Sequence, residues 1–497
     1  MSETGAPQLI KPDYTIFPLA YGNEEESGLM DDYSGEMDEP YLLASQLRRF
    51  VPTELQSTNR GRELFLLNGS KIYAGGAVGT AFDTNVERAT AECISPSQLN
   101  VAIRAGEQLL IKTVESYVTQ MSAETGRTIT ARSHRRVVDS HGSRKACHDN
   151  YGLDRRTNYL HRDFVKPQLL GHLASRSFVT GAGNIRGGGL DFAQKIGGLQ
   201  HVIAYDYVGS MLRFTNDEGT PRMEIRCSDI NVSDWAVRMR IGSVAMVSAL
   251  AQIPDISMRL RGVHEGDAIQ EAKVMNRVYI NRDGTLGMHE AGRRAVDFQQ
   301  TLAELFLTDL PKYVDEIPEE LVWTAEELYE YCTDFRKILR GDATIGLLAD
   351  RADWAAKFDR IKQNVDRDQA RGIKRTMKDV KSRAADLKYD YRQISATAGT
   401  LEPMRLGWGY KLRERGNFRN QPKASEAERL YRKAPIETRA GLRASLLANY
   451  DVRACDWKYV AVVDGRNLTE RFNFADVTQT ALSPEEQELL ESMPPKA

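Results

Sequence analysis

No run in this 497-residue sequence approaches the roughly eighteen apolar residues of a membrane-spanning helix, so no such helix is predicted. The N-terminal residues, with Glu3, Lys11 and Asp13, lack the charged, apolar, small-residue order of a secretory signal, and a cytoplasmic location is expected. Cysteine is scarce. Cys93, Cys147, Cys227, Cys332 and Cys455 are widely scattered, odd in number, and never form a C-x-x-C pair. That spacing argues for reduced thiols and against a structural zinc site. Lysine and arginine (67) nearly balance aspartate and glutamate (69), leaving a net charge of -2 and no global basic field, so nucleic acid is not an expected partner. Gly187 to Gly189 form a flexible link, but no G-x-x-x-x-G-K-[ST] occurs and a P-loop is not read.

What is present is a chain 41% hydrophobic and 27% charged, enough for one large domain with a smaller one. Its most informative stretch is Gly22-Asn23-Glu24-Glu25-Glu26-Ser27-Gly28, an acidic triplet between two glycines. In an extended chain Glu24 and Glu26 point one way and Glu25 the other. Two carboxylates on one surface repel unless a cation lies between them, and hard oxygen ligands suit Mg²⁺. A solvated acidic loop is the other reading of these seven residues.

Further along, Leu64 to Leu67 and Ser70 to Ala74 flank Asn68-Gly69, a hairpin signal that puts Lys71, Tyr73 and Gly75 on one strand face. Asp31 to Glu39 reads as an acidic loop and Tyr41 to Phe50 as a short helix. Helical spacing runs through Ser97 to Ala123, Trp235 to Ile253, Arg293 to Leu310, Trp323 to Leu339 and Asp350 to Lys362. Pro221 to Cys227 alternates, with Arg222, Glu224 and Arg226 on a wet face and Met223, Ile225 and Cys227 on the other. The lysine- and arginine-rich stretch from Arg371 to Arg392 reads as a solvated helix face. Composition shifts at the basic linker Arg413 to Lys423, which divides the chain into a large domain, 1–415, and a small one, 424–497.

Taken in order, these segments resemble the Pup ligase and depupylase family of glutamine-synthetase-like carboxylate-amine ligases. Gly22 to Gly28 is similar to its G-x-E-x-E-x-G, and Asn68 to Gly75 to its N-G-x-R-L-Y-x-D, with Lys71 conservative and Gly75 replacing the aspartate. Asn85 to Cys93 resembles H-P-E-Y-A-T-x-E-C, and Asp139 to Tyr151 resembles D-x-x-G-x-S-Y-G-x-H-E-N-Y, matching at His148, Asn150 and Tyr151. Arg222 to Asp234 is similar to R-L-H-V-I-x-G-D-x-N-M-S-E, with Glu224 for the histidine. Asp353-Trp354-Ala355-Ala356-Lys357 fits D-W-x-x-K, and Pro435 to Arg443 fits P-P-x-T-R-A-x-x-R.

The resemblance implies an α+β fold, a curved and mainly antiparallel sheet packed by helices, closed by a small C-terminal α/β domain. It implies ATP and Mg²⁺, with Glu24, Glu26, Tyr73, Glu87, His148 and Glu224 as metal ligands. Lys71, Thr90 and Arg222 would face the nucleotide phosphates, and Trp457 would pack on the base. The implied activity is a ligase that converts the C-terminal glutamate of a Pup-like protein into an acyl phosphate for attack by a lysine of a protein substrate. In the family the aspartate replaced by Gly75 is thought to be the general base. Asp83, the nearest carboxylate in the insertion before Glu87, is the candidate for its role. Asn216 stands where the family has a phosphate-contacting arginine, and Arg213 is the candidate substitute. Two other classes stay open: a depupylase- or deamidase-like or phosphate-cleaving hydrolase, and a degenerate nucleotide-binding member, the latter motivated by Gly75 and Asn216.

Overall fold

The computed structural model of the chain describes residues 14–31, 47–57, 63–75, 85–134, 145, 147–157, 165–186, 189–203, 209–215, 219–260, 262–280, 286–373, 393–397, 405–463, 469–474 and 476–496. Asp83, Asn216 and most of the basic stretch from Arg371 to Arg392 lie outside them.

An eleven-stranded sheet carries the architecture. Its strands are β1 (Ala20–Asp31), β2 (Leu64–Phe65), β3 (Lys71–Gly75), β4 (Asn85–Ala89), β5 (Thr130–His134), β6 (Cys147–Gly152), β7 (His201–Ile203), β8 (Ser210–Thr215), β9 (Arg222–Ser228), β10 (Gln393–Thr397) and β11 (Arg405–Leu406). They run β11-β10-β5-β1-β6-β9-β8-β7, and β4, β3 and β2 extend from β1 as a branch. Among the described residues only β7 and β8 pair in parallel. The long acidic strand β1 is the hub, pairing antiparallel with β4, β5 and β6.

Alternation along β1 decides what lies on each face. Asn23, Glu25 and Ser27 are buried under the sheet, and Glu25 is ion-paired at 2.7 Å to Arg88 of β4. The helix Pro96–Thr125 covers this side, its start capped by Ser95 and its end turned by Gly126 at φ +67°. It comes close enough at Gly106 that a Cβ there would meet the Arg88 guanidinium at 3.0 Å. The helix Asp234–Leu250 is buried along nearly its whole length, beneath the helices Glu290–Thr308 and Glu319–Arg340.

The Asp353, Trp354 and Lys357 side chains are rivets. Asp353 accepts from the Asn231 side chain and the Val232 and Ser233 amides. Trp354 Nε1 donates to Phe178 O, and Lys357 Nζ to Ala182 O and Gly183 O. Asp229 accepts from three further amides, those of Ala182, Gln194 and Lys195. These contacts supply partners that loop backbone buried this deeply requires.

The C-terminal unit carries its own antiparallel sheet, β12 (Val452–Asp456), β13 (Tyr459–Val463) and β14 (Thr469–Asn473). It packs against the β2–β3 hairpin. Phe65 of β2 joins the apolar cluster of Leu447, Val460 and Phe472, and the turn at Gly69, with φ +77°, sits against Ala434 and Ala440. The Asn68-Gly69 hairpin read from the sequence is therefore also the seat of this unit.

A carboxylate shared by two arginines fastens the two parts. Arg443 of the helix Arg439–Asn449 is fully buried and donates to both Glu92 carboxylate oxygens, to Gly69 O and to Trp457 O. Burial opposes the Glu92 anion, but Arg443 and Arg439 outweigh it and hold the carboxyl at about 2. A carboxylate depressed from its ordinary value contributes stability above that value, and loses it as pH falls through the folded one. Glu92→Gln is therefore expected to lower stability at pH 7 by about 3 kcal/mol. In melts taken from pH 7 downward, the gap to wild type should close between about pH 5 and pH 2. A gap that stays constant with pH would contradict the pairing.

Candidate functional site

The exposed face of β1 meets β4 and β3 on one side and β6 and β9 on the other. Register brings Glu26, Glu87 and Tyr73 into one row across β1, β4 and β3, since Glu26 pairs with Glu87 and Glu87 with Tyr73. Glu24 lies opposite His148 of β6, and Asn150 opposite Glu224 of β9. His148 Nδ1 is 2.9 Å from Glu24 Oε2 and 3.3 Å from Glu224 Oε1. One ligand atom from each of Glu24, His148 and Glu224 falls within 4.8 Å of the others, a spacing one cation can close.

The electrostatics of the row point the same way. Burial and the neighbouring Glu24 and Glu26 carboxylates push Glu87 up to about 9, against the pull of Lys71. Burial also works against Glu24, but its hydrogen bond with His148 and the nearby Arg222 and Lys71 hold its carboxyl below the usual range. A cluster of carboxylates in which one can ionise only at alkaline pH is a cluster short of positive charge. Its donors are oxygens and one imidazole, a set that fits a hard divalent cation such as Mg²⁺.

Beneath the cluster a buried network ties three strands together. Asp149 accepts from Asn23 at 3.0 Å and from Ser228 at 2.6 Å, and its other neighbour is the buried Arg240 at 3.1 Å. Arg176 donates to Ser228 at 2.8 Å. These residues fix β1, β6 and β9 against the helix Asp234–Leu250, and so fix the spacing of Glu24, His148 and Glu224.

Beside the cluster opens a cleft of about 360 Å³ between the sheet and the C-terminal unit. Glu24, Thr90, Asn150 and Arg222 line it from the sheet, and Arg439 and Trp457 from the other side. The Trp457 ring stands edge-on to Phe65, with centroids 5.0 Å apart. An aromatic wall opposite hydroxyl, amide and guanidinium groups, with carboxylates at one end, suits a flat base joined to a metal-bound anion.

Of the residues named from the sequence, Glu24, His148 and Glu224 form one cluster, with Glu26, Tyr73 and Glu87 in the adjoining row. Thr90, Arg222 and Trp457 share the cleft. Lys71 stands beside it, ion-paired to Glu63 at 2.5 Å and 4.2 Å from the centre of the Tyr73 ring. Gly75 closes β3 opposite Asn85, one dipeptide beyond Tyr73 on the same face. Arg439 was missed as a cleft residue although it stands in the quoted T-R-A segment. Arg176 and Arg240 were missed because nothing local marks an arginine as buried.

A family model described as "Pup-ligase protein" matches residues 10–204 and 212–461. The chain is 26% identical over 469 residues to the Pup--protein ligase of Jonesia denitrificans, covering 90% of this chain and 93% of that one. It is also 26% identical over 487 residues to the Pup--protein ligase of Bifidobacterium dentium, covering 93% and 92%. The crystal structure of the complex between the prokaryotic ubiquitin-like protein Pup and its ligase PafA matches the fold with a TM-score of 0.74 at 19% identity. That match covers 96% of this chain and 92% of the other. The Pup ligase PafA in complex with ADP matches with a TM-score of 0.65 at 20% identity, covering 91% and 93%. With its sheet, its cleft and a family match spanning most of its length, the chain belongs to the Pup-ligase protein family.

Proposed function

We propose that the chain is an ATP- and Mg²⁺-dependent isopeptide ligase acting in the cytoplasm, with a Pup-like tag and its protein substrates as partners. The observation that carries this reading is the Glu24, His148 and Glu224 cluster at the end of the cleft walled by Trp457. The Pup-ligase relatives and an ADP-bound PafA of the same fold support it. The free thiols of all five cysteines suit a reducing compartment.

In the proposed reaction a carboxylate oxygen of the tag's C-terminal glutamate attacks the γ-phosphorus of ATP. The bond from that phosphorus to the bridging oxygen breaks, and ADP leaves. A substrate lysine amine then attacks the acyl carbon, phosphate leaves, and the amine proton passes to a base. Trp457 would hold the adenine, while Thr90, Arg222 and Lys71 would orient the phosphates. Glu24, Glu26, Tyr73, Glu87, His148 and Glu224 would hold Mg²⁺, which when bound neutralises phosphoryl charge. Asp83 is the proposed base. Gly75 carries no carboxylate beside the cluster, and this favours a second reading, a family member that binds nucleotide without ligating.

Two measurements test this. In calorimetry, Glu24→Ala with Glu26→Ala should abolish Mg-ATP binding, because two hard ligands are lost. Trp457→Ala should weaken it roughly tenfold to a hundredfold, the range of an aromatic stacking contact. Unchanged affinity in the double mutant would return the glutamates to a solvated surface.

For the chemistry, the protein is incubated with ATP, Mg²⁺, a peptide ending in glutamate and a lysine-bearing protein, and products are read by mass spectrometry. An isopeptide adduct is expected. Asp83→Asn should slow single-turnover ligation by about 10² to 10⁴ with Mg-ATP binding kept. Full activity in Asp83→Asn would exclude that base. A wild type that forms no adduct, with ligation appearing in Gly75→Asp, would establish the second reading.

A further inference from the structure

Strand β9 bends where it passes the cation cluster. Ile225 pairs with Asp149, but the next pairing is Ser228 with Cys147, so Arg226 and Cys227 together face the single residue His148. Alternation keeps Arg226 on the face of Glu224, two residues back, with Nε 3.4 Å from Oε1 and the side chain 17% exposed. Arg222 approaches the same carboxylate from the other end at 3.5 Å. Arg213 of β8 pairs directly with Glu224 across the ladder and so shares its face. Two guanidinium groups thus flank one carboxylate, with Arg213 its neighbour in the ladder. Arg213 Nε and Arg222 Nε are buried and meet no hydrogen-bond acceptor among the described residues.

The arginines are spread along one direction. Arg222 lines the cleft with Trp457, whereas Arg226 stands four residues further along β9, about 13 Å on and beyond Glu224. The order along the face is therefore aromatic wall, Arg222, cation cluster, Arg226. In-line phosphoryl transfer places the attacking oxygen opposite the leaving one. With the nucleotide entering from Trp457, the acceptor must arrive from the Arg226 side. A guanidinium suits a carboxylate there because its fork of donors matches two oxygens.

We propose that Arg226, backed by Arg213, forms the acceptor subsite and binds the side-chain carboxylate of the peptide's terminal glutamate before it is phosphorylated. The assignment rests on the ligase reading for the direction of transfer. It makes Arg226 the residue that distinguishes a terminal glutamate from a terminal glutamine, whose amide offers a guanidinium only one acceptor oxygen and no charge.

The test is a binding experiment with Mg-ADP present and no turnover. Two labelled peptides, identical except that one ends in glutamate and the other in glutamine, are titrated with wild type, Arg226→Ala and Arg226→Lys, and followed by fluorescence anisotropy. Wild type should prefer the glutamate peptide by about tenfold to a hundredfold, the range of a charged hydrogen bond. Arg226→Ala should bind both peptides with the glutamine peptide's affinity while keeping its Mg-ADP affinity and melting temperature. Arg226→Lys, which retains the charge without the fork and guards against a misfolded alanine variant, should fall between. The inference is overturned if Arg226→Ala keeps the preference, if wild type has none, or if Mg-ADP affinity falls in parallel, which would make Arg226 a support for Glu224. A wild type that discriminates but forms no isopeptide keeps this subsite and sinks the ligase reading. A wild type that ligates while Arg226→Ala still discriminates does the reverse.

Discussion

Several carboxylates on one half-buried sheet face cannot all be anionic unless a cation lies among them, and the rest of the molecule is arranged around that constraint. Glu24, Glu26 and Glu87 face one another across β1 and β4, and burial with mutual repulsion raises Glu87 to about 9. His148 and the arginines of β9 relieve part of the repulsion from the other flank. Folding alone would select against such a surface. Its persistence in one register, braced from below by Asp149, Arg240 and Arg176, is what a metal and phosphate site requires.

The C-terminal unit converts this open face into a cleft. It does so through a short hairpin turn and two arginines of one helix, for Arg439 and Arg443 both pair with Glu92 of the sheet, and Arg443 also donates to Gly69 O and to the backbone oxygen of Trp457 itself. The residue proposed to hold the base is thereby located by one of the guanidinium groups that fasten the two parts. A change at this seam should therefore move the Trp457 wall of the cleft.

Much of this was legible in the sequence because it is local. Alternation in Glu24-Glu25-Glu26 put the outer pair on one face, and Glu25 is indeed buried beneath, against Arg88. Asn68-Gly69 marked the hairpin, and the alternating Arg222, Glu224 and Arg226 marked a wet face. What escaped depends on residues far apart in the chain. Glu92 and Arg443 are separated by 351 positions, and no periodicity pairs them. Asp353 and Asp229 would each pass for surface charges until the amides that surround them are known. The bulge opposite His148 is a property of two strands in register, and a single strand's pattern does not contain it.

The account stands or falls on one cation at one place. Crystals grown with Mn²⁺ and ADP, measured at a wavelength where manganese scatters anomalously, would locate it directly. The expected result is a peak within about 2.5 Å of carboxylate oxygens of Glu24 and Glu224 and of a His148 ring nitrogen, with ADP phosphate completing the shell. An ion bound elsewhere, or nucleotide in the cleft with the Glu24 and His148 side chains still joined to each other and no metal between them, would contradict it.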